Sequence, residues 1–311
     1  MATNQGLNSK YHASRKHPHR LYYDDFDKSG SLDLVEAEFE GDTEYPIRGR
    51  SCSSRCKPFI ADKYKTYHDF SLATVADIYE TKSVQRPAKE ANYFQSAVFW
   101  NDGDQGFTIA ALPRLAQISP GYGVAADDFD GDGLVDVLMA NNFFHAQPET
   151  GYMGGGLGLL LRGGGNREFE PSWPNRSGVA VSGDANGLAI ADFDNDGDQD
   201  AVFAVNSGKY ELLENQSSSE GSLRLSVVGP PENKLAIGAR VVLTGESYRR
   251  CLEVQAGGSY LSQSPAGDSL LIAKGELDKI SSVNVTWPDG TETSVDAATA
   301  QDGMLSLKWG K

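Results

Sequence analysis

AADDFDGDGLVDVLMA, residues 125–140, reads as an apolar strand, an aspartate-rich loop and a second apolar strand. Asp128, Asp130 and Asp132 hold loop positions 1, 3 and 5, Gly133 position 6 and Asp136 position 9. A loop curling around an ion presents alternate side chains inward, so carboxylates at odd positions converge on one point. Glycine at position 6 permits the sharp turn that aims the carbonyl of Leu134 at the same point. Every donor is an oxygen. That selects a hard cation, and five or more protein oxygens on a flexible loop suit Ca2+ better than magnesium, which keeps its waters.

The same pattern recurs as YYDDFDKSGSLDLVEA (22–37) and AIADFDNDGDQDAVFA (189–204). The first offers Asp25, Asp27, Ser29, Gly30 and Asp33, with Ser31 giving the carbonyl. The last offers Asp192, Asp194, Asp196, Gly197 and Asp200, with Asp198 giving the carbonyl. Aspartate and glycine also make ordinary turns, but three loops with one spacing are hard to ascribe to turn chemistry alone. An EF-hand would need flanking helices and a bidentate glutamate at position 12. Position 12 is Met139 in the second loop and Phe203 in the third, and the flanks read as strands. Only the first loop has Glu36 there, as an extra ligand or a strand residue.

Further strand pairs follow each loop: AVFWNDGDQGFTIAAL (97–112), GLGLLLRGGGNREFEPSW (156–173) and, shorter, KYELLENQ (209–216). Assigning each to the loop before it predicts four-stranded meanders, the sequence form of a propeller blade. The fold class expected is mainly β: a partial propeller of about three blades over 1–216, with a helical insertion at about 42–93, then a β-sandwich-like domain over 222–311. In the insertion, SLATVADIY (71–79) predicts a helix capped by Ser71 with Leu72, Val75, Ala76 and Tyr79 on one face. Tyr64, Tyr67 and Phe70 are expected in its core. SSSEG (217–221) reads as a linker. Beyond it WPDGT (287–291) predicts a hairpin turn between short strands, with no long helix.

The net charge of −15 argues against a nucleic-acid partner, which needs clustered Lys and Arg. No stretch approaches 18 apolar residues, so no transmembrane segment is expected. The opening MATNQGLNSKYHASRKHPHR has no apolar core of the kind a secretory signal needs. Cys52, Cys56 and Cys251 are too few for a disulfide scaffold, and Cys52 with Cys56 reads as free thiols or one bridge.

The loops resemble the FG-GAP/VCBS repeats of integrin-like β-propellers, in the phenylalanine before the second aspartate and in NDGDQGFT (101–108). RGRSCSSRCKPFIADKYKTYHDFSLATVADIY (48–79) looks like an insertion of bacterial propellers of this type. GPPENKLAIGARVVL, VQAGGSYLSQSP and VTWPDGT are similar to the ASPIC/UnbV domain that follows such propellers, as in the cartilage acidic protein family. The resemblance implies a secreted or cell-surface protein, adhesive or scaffolding, that binds a protein or glycan. Ser29 stands where the repeat prefers aspartate, so the first site is expected to be the weakest. Closing a propeller takes roughly four to eight blades, and three are visible. The chain is therefore expected to be a piece of a larger propeller and to self-associate through open blade edges.

The rival class is a propeller-based lyase or hydrolase. GDSL (267–270) matches a hydrolase motif, but no histidine follows His145, so Ser269 would lack its base. His12, His17, His19 and His68 lie elsewhere with no motif around them. A non-enzyme is the expectation, to be tested by whether an Asp, Glu or His outside the loops lines a deep pocket.

Overall fold

The computed structural model describes residues 1–79, 88–148, 150–217, 222–266 and 270–310. The chain is mainly β and divides into two compact units, Ser9–Gln95 and Met1–Asn8 with Ser96–Lys311.

In the smaller unit the first loop joins β1 (His19–Asp24) to β2 (Asp33–Glu40), a hairpin in which Tyr22 faces Val35. Its outer strands are β3 (Thr43–Pro46) and β4 (Lys89–Ala91), giving the order β3-β2-β1-β4. This corrects the assignment of 97–112 to the first meander, for those residues form a separate hairpin. Four short helices follow β3: α1 (Arg50–Cys56), α2 (Phe59–Lys63), α3 (Tyr67–Ser71) and α4 (Val75–Tyr79). They bury Ile60, Phe70, Val75, Ile78 and Tyr79 against Tyr22, Val35 and Ala37 of the hairpin.

The expected helix over 71–79 is corrected too. Ser71 ends α3, and Thr74 begins α4, its Oγ1 accepting from the Asp77 N–H while Asp77 Oδ2 accepts from the Thr74 N–H. That reciprocal cap is legible as T-x-x-D. It rotates the apolar face, burying Ile78 and leaving Leu72 and Ala76 exposed. Tyr64 packs against this core, whereas Tyr67 is exposed. Cys52 and Cys56 are free thiols, one helical turn apart on α1.

In the larger unit β5 (Ala97–Asn101) and β6 (Phe107–Ala111) form a two-stranded sheet, and Ala2 bridges to Ala97. β7 (Gly121–Asp127), β8 (Asp136–Asn141), β9 (Leu159–Gly163) and β10 (Phe169–Ser172) make the four-stranded meander expected around the second loop. α5 (Pro174–Ser177) leads from it to β11 (Ala185–Ala191), β12 (Asp200–Val205) and β13 (Glu211–Leu213). This third sheet has three strands among the described residues.

All six residues of β8 are buried, as in a strand covered on both faces. Val137 and Met139 pack with Val98 and Leu112 around the β5–β6 hairpin. Leu138 and Ala140 pack on the other side with Leu188 and Phe203 of the third sheet. Alternate side chains of one strand thus join consecutive sheets face to face, a propeller-like stacking.

The remaining strands form two sheets around one core. β14 (Leu223–Val228) lies between β17 (Leu270–Ile272) and, in parallel, β20 (Met304–Lys308). β15 (Arg240–Thr244) and β18 (Ser282–Thr286) lie between β16 (Arg249–Glu253) and β19 (Glu292–Asp296). Leu225, Val227 and Leu307 from one sheet meet Val241, Leu243, Val283 and Val285 from the other. The 287–291 turn closes as expected, with the Trp287 N–H donating to Thr291 O and Gly290 at φ +83°. The one α-helix here among the described residues, α6 (Lys274–Leu277), is short. No helix among the described residues is long and apolar enough to cross a membrane.

Candidate metal centres

Each loop is closed by one repeated set of hydrogen bonds from its own aspartates. The position-1 carboxylate accepts from the position-6 glycine N–H: Asp25 from Gly30 at 2.9 Å, Asp128 from Gly133 at 2.8 Å, Asp192 from Gly197 at 3.2 Å. Those glycines sit at φ +85°, +88° and +97°, where a Cβ would be strained. The position-3 carboxylate accepts from position 5: Asp27 from Ser29, Asp130 from Asp132, Asp194 from Asp196. Position 5 in turn accepts from the position-7 N–H: Ser29 from Ser31, Asp132 from Leu134, Asp196 from Asp198.

Position 9 ties the loop to the sheet. Asp33, Asp136 and Asp200 each accept from the phenylalanine at position 2, the N–H of Phe26, Phe129 and Phe193. The other oxygen of Asp136 accepts from the Gly163 N–H at 2.8 Å, and that of Asp200 from the Asn215 N–H at 2.8 Å. Asp136 and Asp200 are buried as a result.

Three carboxylates per loop converge, with ligand oxygens within 4.8 Å of one another: Asp25, Asp27 and Asp33; Asp128, Asp130 and Asp136; Asp192, Asp194 and Asp200. Asp132 and Asp196 at position 5 stand outside these groups, as does Glu36, whose Oε2 accepts from Arg48 Nε at 2.8 Å. A cation lies beside each group: Lys57 Nζ 3.6 Å from Asp33, Arg162 on Asp130 and Arg224 on Asp192.

The donor chemistry fits a hard dication. Asp192 Oδ1 and both carboxylate oxygens of Asp198 are buried with no hydrogen-bond donor among the described residues, a costly state that a cation relieves. Burial, then the charges of Asp196, Asp200, Asp194 and Asp192, push the Asp198 carboxyl up to about 7. Burial pushes Asp136 up to about 6 against the hydrogen bonds from Gly163 and Phe129. The sequence reading gave Asp198 only a carbonyl role, although the alternation Asp196, Asp198, Asp200 carried the signal for its side chain.

The C-terminal sheets reach the loops through contacts that the sequence did not disclose. Arg224 on β14 pairs with Asp192. Arg250 on β16 bridges Glu276 at 2.6 Å and Asp127, just before the second loop, at 3.2 Å. α6 presses on the second loop so closely that a Cβ on Gly275 would lie 3.0 Å from Gly131 O. The serines of VQAGGSYLSQSP lace the edges of β7 and β11: Ser259, Ser262 and Ser264 accept from the N–H groups of Val124, Leu188 and Ile190.

A cleft of about 870 Å³ opens beside the second loop, lined among others by Asp130, Arg162, Glu170, Trp173 and Arg176. Among the described residues Glu170 is its one carboxylate from outside the loops. His145 lies 2.9 Å from the buried Asp184, away from this cleft, and Ser269 falls outside the described residues.

Residues 91–139 match the FG-GAP-like repeat family, a span that holds the whole second loop, and residues 229–310 match the ASPIC and UnbV family. "Cartilage acidic protein 1" of Mus musculus and of Homo sapiens are each 28% identical over 204 residues, 64% of this chain and 30% of the relative. The same-named protein of Xenopus tropicalis is 28% identical over 196 residues, 61% of this chain and 29% of the relative. The chain thus spans about 30% of the length of these relatives. It pairs an FG-GAP-like repeat with an ASPIC and UnbV domain, and is homologous to cartilage acidic protein 1 over 64% of its length.

Proposed function

We propose that this chain is a calcium-binding, non-catalytic recognition module that acts outside the cell. The observation that carries the reading is the convergence of three carboxylates in each of three loops. Asp25, Asp27 and Asp33 with Ser29 and Ser31 would form the first site; Asp128, Asp130, Asp132, Leu134 and Asp136 the second; Asp192, Asp194, Asp196, Asp198 and Asp200 the third. Loops of this kind bind at about 10⁻⁴ to 10⁻³ M or somewhat tighter, in the range of extracellular modules. The blades over 1–216 would then present a protein or glycan ligand site, with the 222–311 domain docked on the second and third loops.

By the criterion of a carboxylate or histidine outside the loops lining a deep pocket, Glu170 keeps a propeller-based enzyme as the second reading. Glycoside hydrolysis needs two carboxylates flanking one bond, and among the described lining residues Glu170 stands only beside the proposed metal ligand Asp130.

Calorimetry on single-site variants tests the reading. The second and third loops carry an added negative charge at position 5, outside the converging carboxylates but on the same short loop, where the first has neutral Ser29, so both should bind more tightly. Asp130→Ala or Asp194→Ala should weaken its own site on the order of tenfold or more, whereas Ser29→Ala should change the first site little. A first loop tighter than the others would reverse this ranking and require Glu36 to leave Arg48 for the ion.

A further inference from the structure

The cleft beside the second loop carries two guanidiniums and an indole for which the fold supplies no complete use. Trp173 is 59% exposed. Arg176 is exposed and has no ion-pair partner among the described residues. Arg162 has one, Asp130, through the oxygen Oδ2, while Asp130 Oδ1 is already engaged by the Asp132 N–H. Asp130 is also the position-3 member of the second carboxylate group.

Asp130 cannot serve both cations fully. An ion in the second loop draws on the same carboxylate, and a dication outbids a monovalent guanidinium for it. Arg162, whose side chain is 54% exposed and lines the cleft, would then be released toward it. Without the ion, Asp130 and Glu170 balance Arg162 and Arg176. With it, the two arginines face, among the described lining residues outside the loop, the single carboxylate of Glu170, which lies opposite Arg162 across the β9–β10 pair.

We infer that this cleft binds an acidic saccharide, carrying carboxylate or sulfate groups, when the second loop holds calcium. Guanidiniums grip carboxylate and sulfate oxygens through paired N–H donors. An exposed indole offers a flat apolar face with a polar edge, which suits the C–H face of a pyranose ring. The volume lies within the range of small-ligand sites and has room for a short oligosaccharide. The inference rests on the second loop being a calcium site.

The test uses the full chain, calorimetry, and three probes: a sulfated uronate–hexosamine hexasaccharide, the same hexasaccharide desulfated and carboxyl-reduced, and an oligoglutamate peptide. Calcium binding is measured first, without saccharide, so a failure of the calcium reading is seen separately. In millimolar calcium the sulfated probe should bind, and binding should fall at least tenfold in chelator and with the neutral probe. Trp173→Ala and Arg176→Ala should each weaken it about tenfold while leaving calcium affinity and circular dichroism unchanged; both side chains are exposed, so folding should survive. Three outcomes would overturn the inference: no saccharide binding by a chain whose second loop is calcium-loaded, equal binding in calcium and chelator, or binding of oligoglutamate as tight as that of the sulfated probe.

Discussion

Moving from chelator to about 2 mM calcium is expected to raise the melting temperature of the larger unit on the order of 10 °C. The free loops hold like charges close together, with carboxylate oxygens within 4.8 Å. Such charges 4 Å apart repel by about 4 kcal/mol at an effective dielectric near 20. An ion cancels that repulsion and stabilises by mass action, about 1.8 kcal/mol per site at 2 mM for a Kd of about 10⁻⁴ M. The second and third loops both lie in the larger unit, and 150–250 residues gain roughly 2–4 °C per kcal/mol. The gain should also depend on pH. In the calcium-free fold Asp136 and Asp198 titrate at about 6 and about 7, above their unfolded values. At these two groups the folded chain binds more protons than the unfolded one, so their contribution to calcium-free stability is full below about pH 4 and is lost as pH rises through 4 to 7. Calcium and protons compete for these groups. The calcium-induced rise should therefore be larger at pH 7.5 than at pH 5.5, as scanning calorimetry can read.

Arg250→Ala should be the most damaging substitution of a charged residue in the C-terminal sheets. Its side chain is 14% exposed and neutralises Glu276, at 3%, and Asp127, at 16%. Tyr248 donates to Glu276 at 2.5 Å but brings no charge. Removing the guanidinium leaves two buried carboxylates against each other, and breaking a buried pair in this way costs about 3–5 kcal/mol. Burial together with Glu276 already pushes Asp127 up even with the arginine in place. Arg249→Ala, one residue away and exposed, should stay within about 0.5 kcal/mol. Urea titration of the two variants reads the difference; equal midpoints would mean that Arg250 does not hold the C-terminal sheets to the second loop.

The loops were legible because their geometry is local. The repeated bonds that close each loop run over at most seven residues, from Asp25 to Gly30 or from Phe129 to Asp136, whereas the ties of Asp136 to Gly163 and of Asp200 to Asn215 reach farther. Alternation expects position 5 among the converging carboxylates; there Asp132 and Asp196 accept from the N–H groups of Leu134 and Asp198, as the position-3 carboxylates accept from position 5. Pairing across distance was not legible. TEYP and KEA are too short to show alternation, so the outer strands of the first sheet passed for part of the insertion, and the nearest obvious hairpin was assigned in their place. Arg224, Arg250 and the serines at 259, 262 and 264 act on residues tens of positions away, and nothing in their local sequence points there.

Native mass spectrometry of the intact chain in millimolar calcium counts the bound ions directly. Three per chain are predicted, falling to two in each of Asp33→Asn, Asp136→Asn and Asp200→Asn, and to none when all three are combined in a chain that still folds. A chain that carries no calcium, or three ions unaffected by these substitutions, would contradict the assignment of the loops as calcium sites.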